Sequence, residues 1–120
     1  FRWMLKAAEQ GDLDSQNNVG LAYENGEGVD KDPKKSFIWF KKAADNGQVF
    51  ANYNVALKYY TGNGVNQNLD EAIKYAEVAF KQGDEGAYEL LSEISGDETS
   101  LKYNPAKAAN LKKEYENLKN

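Results

Sequence analysis

The chain has 120 residues, 41% hydrophobic and 28% charged, with 15 basic and 19 acidic side chains and neither cysteine nor histidine. That length holds one domain with a core rather than two of ordinary size, and the missing residue types remove the usual zinc sites, haem ligation by His or Cys, thiol chemistry and every histidine-based triad. A net charge of −4 repels a phosphate backbone on average, so nucleic acid is not the expected partner, and no apolar run is long enough to span a bilayer.

Phe1 to Gly11 stands in register with Phe37 to Gly47. The chain is therefore expected to open inside the second helix of an earlier, truncated repeat, with Trp3 and Met4 uncovered for that reason; Trp3, Trp39 and Tyr75 are otherwise read as core. Gly11 has the place of a helix-ending glycine, and Asp12 can cap the next helix. From Leu13 to about Asn25, Leu13, Ser15, Val19, Ala22 and Tyr23 follow helical spacing, and Gly20 allows another helix to come close. Asn25-Gly26-Glu27-Gly28 breaks this first helix, since two glycines in a polar tetrapeptide permit a tight turn, and Val29 is expected to tuck beneath it. No phosphate-loop pattern surrounds the glycines.

Asp32-Pro33 starts the next helix, with Asp as N-cap and Pro at the first helical position, where its missing amide hydrogen costs nothing. Asn68-Leu69-Asp70-Glu71 and Asn104-Pro105 repeat the signal. Ser36, Trp39 and Ala43 form a small-large-small face that Ala72, Tyr75 and Ala79 keep, the pattern by which helix pairs interlock. Further helices are predicted from about Gln48 to Tyr60, Leu69 to Gln82 and Ala87 to Ile94. The third turn decays, with Glu98 and Ser100 in place of glycines, and a seventh helix from Pro105 to about Leu118 has the polar character of a terminal cap.

These elements repeat at a shift of 36 residues: Tyr23 falls on Tyr59, Gly26 on Gly62, Gly28 on Gly64, Val29 on Val65, Ala43 on Ala79 and Gly47 on Gly83. A fixed period of this size marks an all-α solenoid of antiparallel helix pairs, and solenoids mostly present surfaces to other molecules. The expected division is 1–11 for the truncated repeat, 12–47 for repeat one, 48–83 for repeat two and 84–120 for a degenerate capping repeat.

The run from Gly11 to Gly47, with Asn18-Val19-Gly20-Leu21-Ala22-Tyr23, Gly26-x-Gly28-Val29, Trp39-Phe40 and Ala43-Ala44, resembles the Sel-one-like repeat, a relative of the tetratricopeptide repeat. Ser15 and Ser36 depart from the family's usual alanine, and Ala76 from its usual aromatic. The resemblance implies a right-handed superhelix whose first helices line a concave face, and the work of a non-catalytic adaptor. It favours a bacterial periplasmic or secreted setting over the cytoplasm.

If Ser15, Val19, Ala22 and Tyr23 face inward, a second stripe at i, i+3, i+7 and i+10 faces out. It reads Asp14, Asn17, Leu21, Glu24 in repeat one, Phe50, Tyr53, Leu57, Tyr60 in repeat two, and Gly86, Glu89, Glu93, Gly96 in repeat three. Asn17, Leu21, Glu24, Phe50, Tyr53, Leu57, Tyr60 and Glu89 are thus the expected contacts for a protein or peptide partner, with no catalytic residue, metal or cofactor. Tyr53 and Tyr60 have a second reading, packing against the neighbouring repeat. Carboxylate pairs such as Asp12 with Asp14 or Glu89 with Glu93 need a closed pocket for acid–base work, which an open groove does not give. Two alternatives stay open: a bacterial immunity or inhibitor protein whose acidic segment from Glu9 to Asp32 matches a basic active site, and a cell-wall carbohydrate binder. The chain is expected to be a monomer or to stack weakly through its first helix.

Overall fold

The computed structural model describes residues 1–96 together with Lys113 and Asn117. Within residues 1–96 the elements are six helices: α1 (Arg2–Glu9), α2 (Leu13–Asn25), α3 (Pro33–Asp45), α4 (Ala51–Thr61), α5 (Leu69–Lys81) and α6 (Glu85–Gly96). The expected third turn, and the expected seventh helix apart from Lys113 and Asn117, lie outside the described residues.

Local chemistry sets the helix ends. Carboxylate or amide oxygens of Asp12, Asp32 and Asn68 accept the amides of Ser15, Lys35 and Glu71 at 3.0, 3.1 and 3.1 Å, as the capping signals predict. Helix α4 begins at Ala51 rather than near Gln48, because the Gln48 side chain turns back and its Oε1 accepts the Ala51 amide at 2.8 Å. Helix α6 begins at Glu85, two residues before the expected Ala87, because Asp84 Oδ1 accepts the Gly86 amide at 2.9 Å. The turns closing α2–α3 and α4–α5 are the same object built twice. Gly26 and Gly62 both take φ +72° after the helix, and the amides of Asp32 and Asn68 donate to the carbonyls of Tyr23 and Tyr59.

Each such turn folds a hairpin, α2 on α3 and α4 on α5, and the hairpins stack in order through α1 on α2, α3 on α4 and α5 on α6. The body is elongated, 46 × 33 × 19 Å. The larger core gathers Phe37, Phe40, Val55, Tyr75, Phe80, Leu91 and Ile94 with small alanines between them; a smaller cluster of Ala8, Val19 and Tyr23 is covered by Phe1, Met4, Leu5, Val29 and Trp39. Val29 and Val65 pack beneath their turns as expected.

Two interlocks position the helices. Gly20 sits against the Phe40 ring so closely that a Cβ there would lie 2.6 Å from Phe40 Cδ1, and Ser36, the departure from alanine, donates its hydroxyl to the Gly20 carbonyl at 2.8 Å. Trp3 is uncovered, the second of its two expected readings, whereas Met4, expected uncovered with it, is half-buried against the smaller cluster. Trp39 and Tyr75 pack onto a preceding helix pair, whereas α1 rests on α2 alone, so the Trp3 ring is 80% exposed.

Candidate protein-binding face

Helices α2, α4 and α6 lie side by side, tied across the seams mainly by polar groups. Asn54 Nδ2 donates to Asn17 Oδ1 at 3.2 Å, Gln48 Nε2 donates to Asp14 Oδ1 at 3.2 Å, and the Lys58 ammonium pairs with the Glu24 carboxylate. Tyr53 of α4 lies over Gly86 of α6, where a Cβ would come within 2.9 Å of its Cε1; glycine there lets the ring settle across the seam. Such ties hold three helices in one fixed surface, which reduces the ordering a partner must bring about.

The predicted contact residues divide into three groups. Phe50, just before α4, is 66% exposed, with Val49 exposed beside it, and Glu89 is exposed on α6. Leu21, Tyr53, Leu57 and Tyr60 are half-buried, each with one side against the larger core and the other toward solvent. Tyr53 and Tyr60 therefore pack against the core, as their second reading has it, and still present an edge to solvent. Asn17 corrects the expectation of an outward side chain. It is 6% exposed, because its amide oxygen serves as the acceptor for Asn54 in the α2–α4 seam. Glu24 reaches the surface, but its carboxylate is committed to Lys58.

Lys58 is the seam residue that the stripe pattern missed. Its side chain is 4% exposed, with the ammonium 6.0 Å from the Phe40 ring centroid. The signal was present: Lys58 falls 36 residues after Ala22 and 36 before Ile94, both buried.

Tyr53 meets Glu89 electrostatically. Burial first, and then the negative charges of Asp84, Glu89 and Glu93, push its hydroxyl above the ordinary tyrosine value. Asp12 acts as a cap: the hydroxyl and amide of Ser15 donate to its carboxylate and hold it below the usual range. At the junction of α3, α4 and α5, a cavity of about 300 Å³ is lined by Asp45, Asn52, Lys74, Tyr75, Val78 and Gln82. No three of Asp, Glu, His or Cys converge as a metal-ligand group among the described residues.

The sequence profile of the Sel1 repeat matches residues 1–12, 13–48 and 49–84. The chain belongs to the Sel1 repeat family. Among solved structures it is similar to a Sel1 repeat protein from Oxalobacter formigenes, at 32% identity and a TM-score of 0.76 over 88% of this chain and 43% of that one. It is also similar to c5321, described as a protective antigen of uropathogenic Escherichia coli with this fold, at 30% identity and a TM-score of 0.88 over 99% of this chain and 26% of that one. Cysteine-rich protein B of Helicobacter pylori matches at 30% identity and a TM-score of 0.69, over 74% of this chain and 67% of that one. This chain thus spans less than half the length of the first two, and has no cysteine where the third is described as rich in it. No curated protein matches the sequence. Sel1 repeats form an all-α solenoid and are generally protein–protein interaction modules, typically without catalysis. No helix among the described residues of this Sel1 repeat chain is long and apolar enough to cross a membrane.

Proposed function

We propose that this Sel1 repeat chain is a non-catalytic interaction module that holds a protein or peptide partner on the face formed by α2, α4 and α6. One observation carries the reading: the exposed Phe50 ring continues at helical spacing into the half-exposed edges of Tyr53, Leu57 and Tyr60, along one side of α4. Aromatic side chains standing on a rigid, partly desolvated surface are the usual material of a binding hot spot, where one anchor contributes roughly 2 kcal/mol or more. Leu21 on α2 and Glu89 on α6 border that row.

The test uses two variants beside the unaltered chain. Phe50→Ser with Tyr53→Ala strips the α4 row, and Trp3→Ser with Ile38→Ser removes two exposed apolar groups from α1 and α3. Each immobilised protein is challenged with the native lysate and its captured proteins are identified by mass spectrometry, with helical circular dichroism as the control for folding. A protein retained by the unaltered chain and the α1/α3 variant but lost from the α4 variant supports the reading. Loss from the α1/α3 variant alone would move the binding surface to the other side.

A further inference from the structure

Charge is distributed unequally between the two rows of helices. Of the lysines and arginines on α1 to α6, all but Lys58 sit on α1, α3 or α5, and Lys58 is buried against Glu24. The α2–α4–α6 side therefore presents no free cation on those helices. It presents carboxylates: Asp14 of α2 and Glu85, Glu89 and Glu93 of α6, all exposed. Glu89 and Glu93 have no ion-pair partner among the described residues, and they follow Gly86, against which the Tyr53 ring rests, at i+3 and i+7, so they share its face of α6 and lie beside the aromatic row. Asp84 faces Tyr53 too, but it already accepts the Gly86 amide.

An aromatic row with a carboxylate row beside it is complementary to one kind of chain. Carboxylates attract a cation, and an aromatic face adds cation–π attraction for the same group, while apolar side chains need the uncharged row next to it. The geometry points to a partner segment in which lysine or arginine stands beside large apolar residues. Its apolar groups seat along Phe50, Leu57 and Tyr60, and a cation rests by Tyr53 between Glu89 and Glu93. This inference rests on the proposed α2–α4–α6 face and adds the chemistry of what occupies it.

The probes are three synthetic twelve-residue peptides carrying fluorescein: one alternating lysine with leucine and phenylalanine, one with glutamate for every lysine, and one with glycine for every apolar residue. Binding is followed by fluorescence anisotropy at low and at high salt. The first peptide is expected to bind, and the other two to bind at least tenfold more weakly. Glu89→Gln with Glu93→Gln is expected to weaken the first peptide about fivefold at low salt and to flatten its salt dependence. Phe50→Ser is expected to weaken it at both salt concentrations. Glu9→Gln with Asp30→Asn makes the same change in net charge elsewhere and should leave affinity unaltered.

Equal loss in that control would reduce the effect to net charge and overturn the inference. Preference for the glutamate peptide, lost in Phe50→Ser, would keep the face and overturn the basic partner. Preference for the lysine peptide that is indifferent to Phe50→Ser would instead overturn the face. If the unliganded chain dimerises and Phe50→Ser abolishes the dimer, the face is covered by a second copy and the inference fails. Absence of binding by all three peptides also counts against it, and leaves the broader module to the lysate experiment.

Discussion

The Lys58 ammonium of α4 is buried against the Glu24 carboxylate of α2, two residues that lie 34 positions apart and belong to successive repeats. Their environments differ: the Lys58 side chain is 4% exposed and that of Glu24 32%. Breaking a pair is dearest when the survivor is the buried member, because a desolvated charge is then left alone. Glu24→Gln is therefore expected to destabilise the chain by about 2 kcal/mol. Lys58→Met, which leaves the carboxylate near water and keeps a long apolar chain over Phe40, should cost less than half of that. Combining Lys58→Met with Glu24→Leu should bring stability back close to the starting value. Urea unfolding of the four proteins checks the order, and a costlier Lys58→Met would show that the pair is not limited by the buried ammonium.

The fit of Phe40 over Gly20 gives a second prediction. A methyl group at position 20 meets ring atoms at 2.6 and 2.7 Å, so Gly20→Ala forces the ring or the α2–α3 spacing to move, although alanine itself favours a helix. The expected net cost is about 1–3 kcal/mol. Phe40→Leu alone leaves a cavity and costs a similar amount, but the two together fill one another's defect. The double variant should be clearly more stable than the sum of the single changes predicts. Additive losses in thermal unfolding would mean that the two sites do not share space.

The repeated architecture was legible because its determinants are local. Asp12, Asp32 and Asn68 each cap a helix through a bond to an amide three residues on, and Gly26 and Gly62 each take the left-handed conformation their turns require. What was not legible depends on which neighbour lies across a seam. Asn17 shares a helical stripe with Leu21 and Glu24, yet it is buried because Asn54 of the next repeat stands opposite it. Gln48 reads as the start of a helix, yet its side chain folds back to cap one. Lys58 reads as solvated until the 36-residue register is applied to it, which places it between the buried positions of Ala22 and Ile94. In the candidate site, spacing alone located the row from Phe50 to Tyr60. That every lysine and arginine of α1 to α6 except Lys58 sits on α1, α3 or α5 emerged only when helices were sorted by side.

Stability against pH follows from Asp45 and Tyr75, which join α3 to α5 through the Tyr75 hydroxyl donating to Asp45 Oδ1 at 2.7 Å. Burial raises the Asp45 carboxyl, but hydrogen bonds from Lys41 and Tyr75 and the charges of Lys41 and Lys74 outweigh it and leave it below the ordinary value. Its contribution is present above the unfolded carboxyl value and fades as pH falls through the lower folded one. Tyr75 is pushed up to about 12, chiefly by burial and then by Asp45, and Lys41 is raised by its bond to Asp45. For these two the contribution is complete below the unfolded values near 10 and is lost as pH climbs through the folded ones. The chain should hold constant stability from these groups between about pH 5 and 9.5 and lose it between about 10 and 12. Tyr53 and Tyr59 are also raised by burial and add to the alkaline loss. Tyr75→Phe should cost about 1 kcal/mol at pH 7 and flatten the alkaline decline; an unchanged slope between pH 10 and 12 would dissociate that decline from Tyr75.

Two glycines with left-handed backbones separate conformational strain from steric contact. Gly47 has φ +101° with open space where a side chain would go, so Gly47→Ala meets only the backbone penalty, about 1 kcal/mol. Gly64 has φ +81°, and a Cβ there would stand 2.1 Å from the Pro33 carbonyl oxygen and 2.6 Å from its carbon. Both obstacles are backbone at the start of α3, which cannot rotate aside. Gly64→Ala must therefore push the α4–α5 turn off the preceding hairpin, in addition to the strain it shares with Gly47→Ala. A loss of about 3 kcal/mol or more is expected, with disruption of the seam between hairpins rather than of either hairpin alone. Amide hydrogen exchange should show faster opening in α3 and α4 together for Gly64→Ala, and only a local change for Gly47→Ala. Equal costs and equal exchange in the two variants would mean that the second glycine of the turn serves backbone conformation only, and that the stacking of successive repeats does not depend on its missing side chain.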